Sequence, residues 1–554
     1  MFRKSFKRLV EKPDDKLNEM PLVAALTMEN LEKDEKMDIR PQTPIICKHC
    51  GGIVVDYSQL KISDNNISWN CEFCGNDNSI KIKEPEEKKV IEEKKEMTGE
   101  ELSVLFKEIT KEEETKIEHK DYGNSIVSII DISGSMGGGK LEAVKHSLVQ
   151  TVKDIKINNP STIFALIAFT DWVEIYSTPE TSFRIEDDNY LFSKKNMAKF
   201  LKKTLKDVKI GPVSEFGDKW IKKIESLRTL GWTALGPALY SGEVLIEEKV
   251  KQSEESSARI ILLTDGLANQ GMGNVESADK KKAKEFYESI GADCLKSGII
   301  IDLVGVQSGN QVALDIVGVT TDITGGEMVL ISQQEIESTF AKIRQKRYIA
   351  RNTILRVFMP KFLELDDITG TYVTGKIPKK PGEPINLGAL DKDREIYLRF
   401  KQKKKADRAE VPIQIQMEYL DANNEKKYRV IRSKVKTTDN FEEYSKDYDA
   451  EVYANMEIQE ANEFRKDYDL SSAKRKLNGL RKNLKSAPFA KSENLSMAQE
   501  LADFEEEDWM AQEERAKEEK VQDMSSYYAM SGQSSYRASM NTRLMKMRKK
   551  KKKK

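Results

Sequence analysis

Between residues 121 and 348, short aliphatic runs alternate with longer amphipathic segments. The runs are "SIVSIID", "IFALIAF", "RIILLTD" and "IIIDLVGV". The segments between them, "KLEAVKHSLVQTVKDI", "LGPALYSGEVLIEEKV" and "KKAKEFYESIGADCLKSG", carry apolar residues every three or four positions. Strands apolar on both faces and separated by helices predict a Rossmann-like domain, a parallel sheet flanked by helices. It closes with "MVLISQQEIESTFAKIRQK". In 349–440 the period drops to two, as in "REIYLRFKQ" and "VPIQIQMEYL", with turns at "KKPGEP" and "DANNEKK". That pattern predicts an antiparallel β-sandwich. A helical period returns over 441–522, so a helical region packed on the body is expected there.

The remaining segments lack a sustained period. Residues 1–40 read as an irregular N-terminus. The alternation in "MFRKSFKRLV" also fits a membrane-surface helix, but a frayed, solvated start is the reading adopted. Residues 84–120 contain "KEPEEKKVIEEKKEMTGEE", a charged linker or exposed helix. Residues 523–554 are low in complexity and are expected to form a disordered basic tail ending in lysines. The fold class is therefore multidomain α/β.

Residues 41–83 change that picture by adding a metal. Cys47 and Cys50, then Cys71 and Cys74, stand as CxxC-x20-CxxC, with Gly51 and Gly75 just after each pair. Two residues between thiolates let both sulfurs of a turn face one tetrahedral centre. A four-cysteine zinc ribbon follows, holding Zn2+ structurally, since four thiolates leave no open position for chemistry. His49 is surplus to this set and Cys294 reads as a helix core residue.

Composition removes several classes. Lys+Arg and Asp+Glu each total 92 in 554 residues, so the chain is not a basic nucleic-acid binder overall, and no specific nucleic acid is expected. No apolar run reaches the ~18–20 residues of a membrane span, and the N-terminus has no signal-peptide core. A cytoplasmic protein is expected. Its "RLMKMRKKKKKK" terminus can bind acidic phospholipid or RNA, or remain a solvated tail. His49, His119 and His146 are the only histidines, and none stands in a recognisable nucleophile–base motif. The chain is therefore read as a non-enzyme.

One turn, "DISGSMGGGK", carries candidate chemistry at the mouth of a buried strand: Asp131, Ser133 and Ser135. Asp131 could cap the next helix. A phosphate cradle is a poor fit, because neither GxGxxG nor GxxxxGK[ST] is present. "LGWTALGPAL" offers Thr233 and "IILLTDGLANQG" offers Asp265, each on a loop beside the same predicted sheet edge. Hard oxygens converging at the carboxyl ends of parallel strands suit Mg2+.

The arrangement DxSxS, then Thr, then Asp in TDG resembles the metal-ion-dependent adhesion site of von Willebrand factor A domains, over roughly 121–345. The resemblance implies Ser133, Ser135 and Thr233 as direct Mg2+ ligands, Asp131 and Asp265 acting through water, and capture of a partner protein's acidic side chain. The domain order, with "PIICKHC" and "WNCEFCGN" in the ribbon, also resembles the COPII inner-coat proteins, which shape vesicles leaving the endoplasmic reticulum. Those proteins generally lack a complete adhesion-site motif. The first expectation is accordingly a cytoplasmic adaptor with a ligand-bridging Mg2+ and a structural zinc ribbon. The alternative is a COPII-like coat subunit, peripheral at the endoplasmic reticulum membrane.

Overall fold

The structure, a computed structural model, describes residues 2–13, 15–28, 38–40, 44–63, 66–81, 91, 100–107, 125–250, 258–265, 268–276, 280–306, 314–331, 348–373, 376–421, 425–467, 469–518 and 543–547. The expected linker and basic tail fall largely outside the described residues, as does the end of the segment closing the α/β domain.

The α/β domain contains a seven-stranded sheet in the order Thr181–Ile185, Val173–Thr178, Ile163–Phe169, Ser125–Asp131, Ala258–Thr264, Ile299–Val306, Met328–Ile331. The last five run parallel, and the first two form an antiparallel hairpin edge. Alternate side chains of Ser125–Asp131 enter two separate cores: Val127 and Ile129 face one, Ile130 the other. Helices Lys140–Asn158 and Val213–Ser226 close one face through Val144, Leu148, Trp220 and Ile224. Helices Lys194–Thr204, Leu235–Leu245, Lys280–Lys296 and Leu314–Thr324 close the other. The strand that starts the domain thus lies mid-sheet, where the strand order reverses. In open α/β sheets the loops at the carboxyl ends diverge there and leave a crevice.

The β-sandwich forms as expected over 349–440, but it recruits segments the sequence pattern did not assign to it. One sheet is ordered Phe2–Lys4, Leu22–Thr27, Glu395–Gln402, Leu363–Thr369. The facing sheet includes Ile385–Asp391, Tyr348–Phe358, Glu410–Leu420, Lys426–Thr438, Glu101–Lys107 and Asp38–Arg40, with Arg8–Val10 along Lys426–Thr438. Residues 1–40, read as irregular or as a surface helix, therefore supply four strands. The stretch read as a linker supplies Glu101–Lys107. Three of these strands have only three residues, and Leu22–Thr27, Arg8–Val10 and Glu101–Lys107 pair with strands hundreds of positions away, so tertiary pairing decides their conformation rather than local pattern. Arg3 secures the N-terminal edge by an ion pair of 2.6 Å to Asp449, which also caps helix Ala450–Lys466.

That helix is buried along almost its whole length, between the strand Leu22–Thr27 and helices Leu470–Asn483 and Leu495–Glu518. Within the segment read as a disordered tail, residues 543–547 form a helical turn. Arg543 and Met547, one turn apart, are both buried. Arg543 donates from Nη1 to Asn455 Oδ1 at 2.6 Å and lies 3.7 Å from Glu505 Oε2. No helix among the described residues is long and apolar enough to cross a membrane.

Candidate functional site

The two cysteine pairs fold into matching knuckles. In each, a backbone N–H returns to the first cysteine: Gly51 N to Cys47 O at 2.9 Å and Gly75 N to Cys71 O at 2.8 Å. Both glycines take the left-handed conformation this return needs, with φ of +82° and +73°. The result places Cys47 Sγ 3.7 Å from Cys74 Sγ and Cys50 Sγ 3.6 Å from Cys71 Sγ. Four thiolates bound at ~2.3 Å to one tetrahedral centre stand about 3.8 Å apart, so the spacing fits a zinc cage. All four ligand atoms lie within 4.8 Å of one another. Asn78 Nδ2 and Asn76 Nδ2 donate to Cys47 Sγ and Cys74 Sγ, each at 3.3 Å, as second partners that fix thiolate orientation. The Cys50–Cys71 contact holds the Cys71 thiol below the ordinary range and, with burial, pushes the Cys50 thiol up, the opposed shifts of two sulfurs crowded at one point. His49 is exposed and outside this set, as the motif implied. Cys294 is fully buried in helix Lys280–Lys296, also as expected.

The ribbon is bolted to the sandwich by residues with no motif. Gln414 meets Ile53 twice, accepting its N–H at 2.9 Å and donating to its carbonyl at 2.7 Å. Gln416 donates to the Gly51 carbonyl at 3.0 Å. Arg432 donates to Glu72 Oε2 at 2.8 Å and reaches Asp56 at 3.5 Å. Phe73 packs on Phe358, ring centres 5.9 Å apart. The alternating "VPIQIQMEYL" could have flagged the two glutamines, because they fall among buried apolar positions of a strand.

The second constellation sits at the reversal of strand order in the α/β sheet. Asp131 ends its strand fully buried, its Oδ1 accepting Ser133 N at 2.8 Å and its Oδ2 accepting the Thr264 hydroxyl at 2.6 Å. Burial pushes its carboxyl up to about 6 despite these donors. Ser133 and Ser135 hydroxyls lie 3.0 Å apart, and Ser135 donates to Asp265 Oδ1 at 2.8 Å. Thr233 reaches this edge through its backbone: its N–H donates to Asn269 Oδ1 at 3.0 Å, and its carbonyl accepts Asn269 N at 3.1 Å. The loop carrying it is stitched to the serine turn by Gly134 N to Gly231 O, 3.1 Å, and Leu230 N to Ile132 O, 2.7 Å. Two serines and Asp265 thus meet directly. Among the described residues the Thr233 hydroxyl makes no hydrogen bond to either serine. The donors are hydroxyl and carboxylate oxygens, which fit a hard divalent cation in kind. Sequence reasoning missed Lys140, whose Nζ lies 2.9 Å from Asp265 Oδ2 and 2.9 Å from the Ser135 carbonyl. It also missed Asn269.

Known proteins resemble this chain in part and in whole. The chain is 22% identical over 457 residues to circularly permutated Ras protein 1 of Dictyostelium discoideum, covering 76% of this chain and 51% of that protein. It therefore spans about half the length of that curated relative. A partial likeness, TM-score 0.40 at 15% identity over 75% of this chain and 87% of the other, is to the ArnB paralog VWA2 from Sulfolobus acidocaldarius. The human COPII-coat protein Sec24c superposes with a TM-score of 0.69 at 12% identity, over 99% of this chain and 76% of that one. Residues 126–348 match the Sec23/Sec24 trunk domain family, and the chain as a whole shares the fold of Sec24c.

Proposed function

We propose that this protein is a non-enzymatic, COPII-like coat subunit that binds protein partners and lies peripherally on the cytoplasmic face of the endoplasmic reticulum. The observation that carries this reading is the Sec24c fold running through 99% of the chain, with the trunk family matched over 126–348. It favours the coat reading over the free-standing adaptor. In this role the zinc ribbon, with Zn2+ on Cys47, Cys50, Cys71 and Cys74, acts as a rigid face held to the sandwich. The trunk sheet and sandwich present the partner surfaces. The lysines at the C-terminus favour an anionic membrane surface. Fractionation of cells expressing the tagged full chain tests this: it should sediment with endoplasmic reticulum membranes, be released by high salt, and co-purify with coat proteins. Recovery in the soluble fraction at low salt, without coat partners, overturns it.

The oxygen cluster supports a second, compatible reading, in which Ser133, Ser135, Thr233, Asp131 and Asp265 hold Mg2+ and the ion receives a carboxylate from a partner. Its support is the direct meeting of Ser133, Ser135 and Asp265 across loops 130 residues apart. Partner capture lost on chelation and in Asp131→Ala would sustain it; capture unchanged by both ends it.

A further inference from the structure

Asp265 already has a cation. Lys140 opens helix Lys140–Asn158 directly after Gly137, Gly138 and Gly139, and the last two take φ of +67° and +94°. This left-handed turn brings the helix start back over the serine loop. The Lys140 ammonium there bridges Asp265 Oδ2 and the Ser135 carbonyl, at 2.9 Å each. The other oxygen of Asp265 takes the Ser135 hydroxyl at 2.8 Å. Both carboxylate oxygens therefore have protein donors. The pair is largely shielded from water, with Asp265 3% and Lys140 16% exposed, so its attraction is less screened than that of a surface pair. A divalent ion held by the same serines and Asp265 would face a positive charge on one of its own ligands.

We propose that Lys140 is a built-in competitor for the cation site: its ammonium neutralises Asp265 in the resting protein, and divalent-metal loading requires that ion pair to open. The inference rests on the Mg2+ reading of the cluster and adds its control element. Metal entry exchanges one Lys140–Asp265 contact for metal–oxygen contacts and leaves the ammonium free for solvent or an incoming carboxylate. Occupancy would then depend on a partner's acid as well as on metal concentration, because that acid can pair with the displaced ammonium.

The test is Mn2+ binding to the zinc-loaded full chain, read by the electron paramagnetic resonance of free Mn2+. Lys140→Gln should bind at least tenfold more tightly than wild type, and Lys140→Arg, which keeps the charge, should stay near wild type. Asp265→Asn should abolish binding in both backgrounds. Equal, Asp265-dependent affinity in wild type and Lys140→Gln overturns the role of Lys140 and leaves the metal reading standing. No Asp265-dependent binding in any form overturns the metal reading and the competition with it. Acylation of the Lys140 amine in the wild type, followed by mass spectrometry, avoids reliance on a variant's folding. Reactivity should rise with Mn2+, and an unchanged rate overturns the displacement.

Discussion

Glu243 lies in helix Leu235–Leu245, which is buried along its whole length. Its Oε2 has no hydrogen-bond partner among the described residues, and Lys194 is spent on Asp293 and Ser289, each at 3.0 Å. Burial pushes the Glu243 carboxyl up to about 8; Asp293 and Glu247 add to this and Lys194 opposes it. The native state thus keeps a proton that the unfolded chain releases near pH ~4.3. Stability from this group is full below that point and falls as pH rises toward 8. Glu243→Gln should remove this slope, so denaturant melts at pH 5 and 8 should show the variant gaining on the order of 3 kcal/mol over wild type between them. A variant with the wild-type pH profile would place the charge elsewhere. At the cysteines, Cys50→Ser should cut zinc content from one equivalent to none by elemental analysis, because a structural site's binding energy is also folding energy. The trunk should keep its circular dichroism, since its two cores contain no ribbon residue.

The ribbon as an element has a small core of its own, Ile45, Val54, Tyr57, Leu60, Ile67 and Trp69, and leans on the sandwich for the rest. Arg432 is the central strut: it is 1% exposed and faces both Glu72 and Asp56. Removing one member of a buried ion network leaves the others uncompensated. Arg432→Met should therefore destabilise the docked ribbon by about 3 kcal/mol. Hydrogen exchange should accelerate across 44–81 while the parallel strands of the trunk stay protected; uniform acceleration would mean that the strut serves the whole fold. The ribbon motif itself was legible because its ligands lie within 28 positions in fixed CxxC spacing. Its docking was legible only as two glutamines set among apolar strand positions; what Gln414, Gln416 and Arg432 hold was decided once their two strands faced the knuckles.

Across the whole molecule, the ends of the chain close the structure. Phe2–Lys4 and Leu22–Thr27 complete a sheet with residues 363–402, and Arg543 enters a buried polar cluster of Asn455, Glu395, Tyr397 and Glu505. Arg543→Ala would leave Asn455 Oδ1 without its charged donor, at a cost of about 2 kcal/mol. The expected readout is faster hydrogen exchange at 543–547 and in helix Ala450–Lys466, with the trunk unaffected. Unchanged exchange in that helix would show the terminal turn to be peripheral to it. Phe2–Lys4, Leu22–Thr27 and the turn at 543–547 thus pack onto the same central region, the strand Glu395–Gln402 and helix Ala450–Lys466.

The sequence by itself determined the parts whose physics is local. Apolar runs separated by amphipathic segments specified the parallel sheet and its helices. Thiolate spacing specified the four-cysteine cluster, and strand ends followed by DxSxS and TDG marked the oxygen cluster, where Ser133, Ser135 and Asp265 do meet. Only the tertiary structure decided that Phe2–Lys4, Arg8–Val10, Leu22–Thr27, Asp38–Arg40 and Glu101–Lys107 are strands. A three-residue segment such as "FRK" has no conformational preference strong enough to outweigh backbone entropy until a distant strand offers its hydrogen bonds. Tertiary structure also placed the Lys140 ammonium on Asp265. A lysine after three glycines carries no signal of its own, and the turn that folds it back onto a carboxylate 125 positions away exists only in the closed sheet.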